Sequence, residues 1–230
     1  MREHMHGART AWYSGMWTWL TDRPWRGVSL ALLVGLAVRL PLAFVHGYIG
    51  DIVQWGRLAQ QATLGGLPRV YALVVENPGI GVYPPLYHYL LWVVGSVYRA
   101  FFSDIFVPDT PTLSTLLKLV PILGDCLVGL AAYFFVRALA ASARQRGHSA
   151  ALGALVAVLV NPAIIFNSAY WGMFGDPWYT LGLVVALAAA AFDRVALAWV
   201  GLTAAVLIKP QAAPLVPLIA WVSLVRPFLR

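Results

Sequence analysis

Charge and cysteine are what this chain has least of. Only 11% of its 230 residues are Asp, Glu, Lys or Arg, less than half of the roughly 25% found in soluble domains. So few charges cannot clothe a water-soluble surface. The single cysteine, Cys126, excludes an internal disulfide framework and any cysteine-based metal site. It sits in an apolar run, as an inert core thiol does. His46, His88 and His148 do not pair at ligand spacing on one helix face, and only the tag-like His4 and His6 fall close together, so no metal is expected. There is no phosphate-cradling glycine loop, no nucleophile elbow and no sustained internal repeat.

What is there is apolar. Hydrophobic residues make up 60% of the chain and ten residues are Trp; mean hydropathy is +0.74. The expected fold is all-α and integral to the membrane, because helices satisfy their own backbone in lipid. About six transmembrane helices are expected, at 27–45, 116–136, 149–166, 178–192, 195–208 and 211–225. A bilayer core takes roughly 20 residues to cross, and the last three runs are shorter than that. Arg39 lies toward the far end of the first run, where it either snorkels to the interface or turns toward a cavity. Residues 1–26 mix Arg2, Arg9, Arg23 and Arg26 with Trp12, Trp17, Trp19 and Trp25, which suits a cytoplasmic segment on the membrane surface. No signal-peptide pattern is expected there. Residues 27–230 form one transmembrane module.

The polar stretch from His46 to His88 interrupts this pattern. Connections longer than about 12–15 residues are usually functional or disordered, and this one holds too many aromatic and aliphatic residues for disorder. It opens an external loop, 46–115, with two juxtamembrane helices. Asp51 to Leu64 reads as a short amphipathic helix, Leu67 to Val82 as a loop rich in Gly and Pro, and 84–102 as a helix lying against the membrane.

The net charge of +7 raises nucleic acid as a partner, but its distribution excludes one. Basic residues gather at the ends of apolar runs, where they specify topology. With 84–102 outside the bilayer, Arg2, Arg9, Arg23, Arg26, Arg137, Arg144, Arg146, Arg194, Arg226 and Arg230 share one face with only Glu3, Asp22 and Asp193. The other face balances Arg57, Arg69, Arg99, Lys118 and Lys209 against Asp51, Glu76, Asp104, Asp109 and Asp176. The expected protein is therefore multi-pass in the cell membrane, with both termini cytoplasmic. Three polar clusters, 46–88, 167–177 and 209–211, then meet on the outer face. Short final helices put Asp176 and Lys209 below the membrane surface, where a charge costs several kcal/mol unless it faces water, protein or a partner. An outward-opening cavity follows.

Asp51, at the start of a helix, reads either as an N-cap or as a general base for an acceptor hydroxyl. Tyr83-Pro84-Pro85-Leu86 is a rigid helix start, with or without a further role. Lys209, before Pro210-Gln211, is a snorkelling turn lysine or a point charge for the phosphate of a lipid-linked substrate. Trp171 beside Asp176 offers a platform for a sugar ring or an interface anchor. Asn161-Pro162 is expected to kink a helix.

Taken in order, these segments resemble the GT-C superfamily of membrane glycosyltransferases, which use polyprenyl-phosphate sugars. Gly50-Asp51 resembles its acidic motif in the first external loop, and Tyr83-Pro-Pro-Leu86 the Tyr-Pro-Pro-Leu of its glucosyl- and mannosyltransferase branches. Lys118 with Asp125, Asn161-Pro162 with Asn167-Ser-Ala-Tyr-Trp-Gly172 and Asp176, and Lys209-Pro-Gln211 resemble further motifs. Met173 stands where the pattern has Gln. The resemblance covers about residues 28–225 and is expected to represent the family's N-terminal module, leaving a C-terminal helix bundle as a partner. It implies inverting transfer of a hexose, mannose or glucose, to an acceptor on the outer face, with the lipid-linked sugar as donor and no further cofactor. Asp51 would be the catalytic base. Lys209, Gln211, Asp176, Trp171, Tyr83, His88 and Arg57 would bind substrate. Two other readings stay open: a truncated or non-catalytic subunit that binds polyprenyl lipid or a partner bundle, and a small transporter. The absence of an inverted repeat argues against the transporter.

Overall fold

A computed structural model of the chain describes residues 24–77, 81–102, 106–107, 110–143 and 147–225. The expectations for Trp12, Trp17, Trp19, Asp104, Asp109, Arg144 and Arg146 fall outside the described residues. Among those described, every regular element is helical. The order is α1 (Pro24–Ala43), α2 (Ile49–Glu76), α3 (Pro85–Phe101), α4 (Pro111–Ser142) and α5 (His148–Leu159). A single turn, α6 (Pro162–Ile165), runs into a π turn at Phe166–Trp171. Then come α7 (Asp176–Ala191), α8 (Val195–Ile208), a 3₁₀ turn at Pro210–Leu215 and α9 (Val216–Val225).

Two helices are long and apolar enough to cross a bilayer, Trp25–Ala43 and Pro111–Ser142. A third span arises if His148–Leu159 and Pro162–Trp171, bent by 45°, count as one. The bend is where Asn161-Pro162 was expected to kink the chain. Pro162 cannot donate a backbone hydrogen bond, and the Asn161 side chain instead accepts from Ala163 N at 2.9 Å. The remaining apolar helices are shorter. Leu33, Val200 and Trp221 are each 64% exposed, and they belong to a wide surface of large exposed hydrophobics that suits lipid rather than water. The chain is a helical membrane protein.

α4 is the spine. Thr110 caps it by accepting from Leu113 N at 3.3 Å, and Pro111 occupies its first turn, a position where its missing N–H costs nothing. At 1.5 Å per residue its 32 residues span about 48 Å, more than the roughly 30 Å of hydrocarbon. On one side it packs with α1 and α5 through Val28, Tyr133, Leu152, Leu155 and Leu159. Near its N-terminus it packs under α2 and α3, where Ile52, Trp55, Leu58, Tyr87, Leu91, Leu113, Leu117 and Phe174 form the main core.

The helix expected at Asp51–Leu64 is longer than its pattern suggested. It runs on to Glu76 through a kink at Gly66, whose φ is 68°. The reading of Leu67 to Val82 as a loop is therefore corrected for its first half. Gly66 supplies the left-handed residue that breaks the ladder, and Pro68 then falls in the opening turn of the resumed helix, where proline is tolerated. α3, by contrast, occupies almost the range expected, with Pro85 in its first turn. Gly95 lets α3 approach α2, because a Cβ there would lie 2.8 Å from Ala59 O.

α7 and α8 form a tight hairpin lined with small residues. A Cβ on Gly182 would lie 2.8 Å from Gly201 O and 2.9 Å from Ala205 Cβ. Small residues of this kind let backbones meet where lipid offers no hydrophobic drive. Gly182→Leu is expected to cost about 1–3 kcal/mol by overpacking, read as a lower thermal midpoint in detergent. An unchanged midpoint would mean the two helices do not meet there.

Candidate functional site

The polar residues collect at the end of the bundle where α1 and α8 finish and α4 and α7 begin. The short link from α1 to α2 lies across the end of the π turn. A Cβ on Gly47 would sit 2.5 Å from Tyr170 O and 2.8 Å from Trp171 O, so only glycine fits. Tyr48 packs against Trp171 with ring centroids 5.2 Å apart. Gly172 ends the π turn at φ 87°, again a conformation that favours glycine.

Asp51 is the third residue of α2, and the N-cap is Tyr48, whose side chain makes no capping bond. The N-cap reading of Asp51 is thereby corrected. Its carboxylate instead accepts from the indole Nε1 of Trp171 at 2.8 Å through Oδ2. Oδ1 retains its acceptor capacity, and the residue is half-buried. The first turn of the helix adds a favourable dipole for this anion.

Asp176, the first residue of α7, holds the second half of the site. Its Oδ1 pairs with Lys209 Nζ, and its Oδ2 accepts from Asn167 Nδ2 at 3.2 Å. Lys209 also lies 5.7 Å from the centre of the Tyr179 ring. The pair remains partly open to its surroundings, with 14% of the Lys209 side chain and 23% of the Asp176 side chain accessible.

Tyr83 joins the two halves. It stacks on Tyr87 with centroids 4.0 Å apart and planes within 9°, and its carbonyl accepts from Tyr71 Oη at 3.3 Å. Burial raises the pKa of its phenol, the Lys209 ammonium lowers it, and the Asp51 and Asp176 carboxylates raise it. All three charges are thus within electrostatic reach of one hydroxyl. Tyr87, Phe174 and Trp55 form the aromatic floor beneath, with the Tyr87 and Phe174 centroids 5.5 Å apart and those of Trp55 and Phe174 6.4 Å apart.

The other expected substrate residues stand differently. His88 is fully buried behind the stack, edge-on to Tyr71 at 5.3 Å and to Tyr87 at 5.9 Å. Neither ring nitrogen makes a well-formed hydrogen bond. Burial lowers its pKa, and the nearby Tyr83 backbone opposes that shift. Arg57 is exposed and lies about 120° around α2 from Asp51 at 100° per residue, away from the core face that carries Ile52, Trp55 and Ala59. Gln211 is exposed in the 3₁₀ turn that follows Lys209. Met173 packs partly buried against the main core.

Arg39 corrects the snorkelling expectation outright. It is completely buried, donates through Nε to Asp125 Oδ2 at 3.0 Å, and donates through Nη1 to Gly35 O at 3.1 Å and Leu159 O at 2.6 Å. Ser168 Oγ donates to the same Asp125 oxygen at 2.5 Å. A cavity of about 390 Å³ opens between α4, α5 and α7, lined in part by Asp125, Asn161, Asn167, Asp176 and Thr180. The roles of Asn167 and Ser168 had a signal in the sequence, since both lie in the segment between Asn161 and Asp176, but no spacing rule named their partners. Among the described residues no three His, Cys, Asp or Glu side chains gather as a metal site would require.

Fold and side-chain contacts together describe a helical membrane protein in which Asp51, Trp171, Tyr83, Asp176 and Lys209 form a carboxylate–aromatic–lysine cluster. No family model matches the chain, and comparisons with curated proteins and with solved structures find no similar one.

Proposed function

We propose that this chain is a membrane glycosyltransferase module that moves a hexose from a polyprenyl-phosphate sugar to an acceptor hydroxyl, with inversion. The observation that supports this most is the convergence of Asp51, Trp171, Tyr83, Asp176 and Lys209 from three distant segments. Asp51 takes the proton from the acceptor hydroxyl through its free oxygen. The acceptor oxygen bonds to the anomeric carbon as the bond from that carbon to the phosphate oxygen breaks. Polyprenyl phosphate leaves, and the Lys209 ammonium, with donors beyond the one used by Asp176, steadies its charge. Tyr83, Trp171 and Asp176 shape the sugar pocket.

In this reading six spans place the site on the outer face and both termini in the cytoplasm. Its topology is open to labelling, because the only native thiol, Cys126, is buried. With a membrane-impermeant maleimide on intact cells, Gln211→Cys is expected to react and Ser142→Cys is not. The reverse pattern inverts the topology.

A second reading is a non-catalytic subunit that binds a polyprenyl lipid. The Asp176–Lys209 pair favours it, since the cation offered to a phosphate is already partly neutralised. Hexose transfer from a polyprenyl-phosphate-hexose panel, using purified chain in nanodiscs, separates the two. Transfer that is lost in Lys209→Ala supports the enzyme. Lipid retention without transfer supports the subunit.

A further inference from the structure

The buried lysine of α4 has no part in the chemistry just proposed. Lys118 is fully buried, and its ammonium donates to two backbone carbonyls at the end of α1, Leu42 O at 3.4 Å and Val45 O. Leu42 O also accepts from Val45 N at 3.2 Å in the turn that closes α1, and the dipole at a helix C-terminus favours a cation. A side chain of α4 thus ties down the last turn of α1 and the chain that follows it.

The same side chain underlies both strands of chain that form the site. A Cβ on Gly47 would lie 3.0 Å from Lys118 Cε, and one on Gly172 would lie 3.1 Å from Lys118 Cγ. Gly47 begins the link to Asp51, and Gly172 immediately follows Trp171. The head of Lys118 therefore anchors the approach to the carboxylate, while its stem supports the turn that carries the carboxylate's donor, the Trp171 indole.

We infer that Lys118 is a positioning residue that sets the Asp51–Trp171 hydrogen bond by seating the α1–α2 link on the π turn. Its importance for turnover rests on the glycosyltransferase reading; its effect on the hydrogen bond does not. A misplacement of about 1 Å at a reacting group costs on the order of 10²-fold in rate, so Lys118→Met is expected to lower kcat by about that factor with KM little changed.

The deciding measurement is the indole N–H resonance of Trp171 in ¹⁵N-labelled protein in nanodiscs. Trp171→Phe identifies the signal, and Asp51→Ala defines its position without the carboxylate. Lys118→Met is expected to move it toward the Asp51→Ala position, whereas Tyr133→Phe, at the far end of α4, leaves it in place. Gly47→Ala, which keeps the lysine but pushes the link off Tyr170 O and Trp171 O, is expected to move it in the same direction and serves where Lys118→Met fails to fold. A signal unmoved in folded Lys118→Met, or in Gly47→Ala when the first variant does not fold, overturns the inference. Loss of hexose transfer in the unaltered protein would instead count against the function and leave this result standing.

Discussion

Asp51→Asn is expected to lower hexose transfer by about 10²–10⁴-fold, the range that a positioned general base contributes. Asn keeps the shape of the side chain, and its carbonyl oxygen still accepts from the Trp171 indole that now bonds Asp51 at 2.8 Å. The link over the π turn, the aromatic contacts and the Asp176–Lys209 pair should therefore persist. What disappears is the second carboxylate oxygen as a proton acceptor. The variant should bind polyprenyl phosphate as the parent does and melt at the same temperature, while single-turnover transfer slows. A transfer rate equal to the parent's would falsify the assignment of Asp51 as the base. A large fall in thermal midpoint would instead show that Asp51 mainly holds the helix start together.

The second large effect concerns stability. Asp125→Ala is expected to cost about 3–5 kcal/mol, because removing one partner of a buried pair leaves the other charge uncompensated. Arg39 is wholly buried, and its Nη2 already has no partner among the described residues. Without Asp125 its Nε would lose its acceptor too, while the Ser168 hydroxyl that donates to the same oxygen would keep Ile164 O at 3.0 Å. The two carbonyls on Nη1 offset only part of this loss. The double replacement Arg39→Met with Asp125→Leu should recover most of it, since an apolar pair of similar volume often equals or exceeds a buried ion pair. Unfolding in mixed micelles measures both. If Asp125→Ala unfolds at the same denaturant fraction as the parent, the pair does not tie α1 to α4.

These two experiments probe different ends of one design. The Arg39–Asp125–Ser168 network joins α1, α4 and the π turn inside the bundle. Lys118 joins the same three elements nearer the site. The π turn thus reaches Asp51 already held from below, which gives Trp171 a defined position before any substrate arrives.

Much of the architecture was legible in the residues. Apolar runs became helices because a segment with no water to bond must satisfy its own backbone, and Asn161-Pro162 became a bend because proline has no N–H to give. The helix start at Pro85 was readable for the same local reason. Where local rules compete, reading failed: Gly65-Gly66-Leu67-Pro68 looks like the start of a loop, yet one left-handed glycine and a proline in the next opening turn merely kink α2.

By itself, then, the sequence determined a helical membrane protein, where its chain bends, and which polar clusters had to find partners away from lipid. Those properties follow from hydrophobicity and from the backbone limits of Gly and Pro, which act over a few residues. Only the tertiary structure decided the pairings: Arg39 with Asp125 across 86 positions, Asp51 with Trp171 across 120, and Asp176 with Lys209 across 33. It also turned His88 inward and Arg57 away, and put Lys118 beneath Gly47 and Gly172. A charge at membrane depth is costly unless it is paired or faces water, so the sequence announces that it needs a partner; which partner depends on helix packing, and no local rule encodes that.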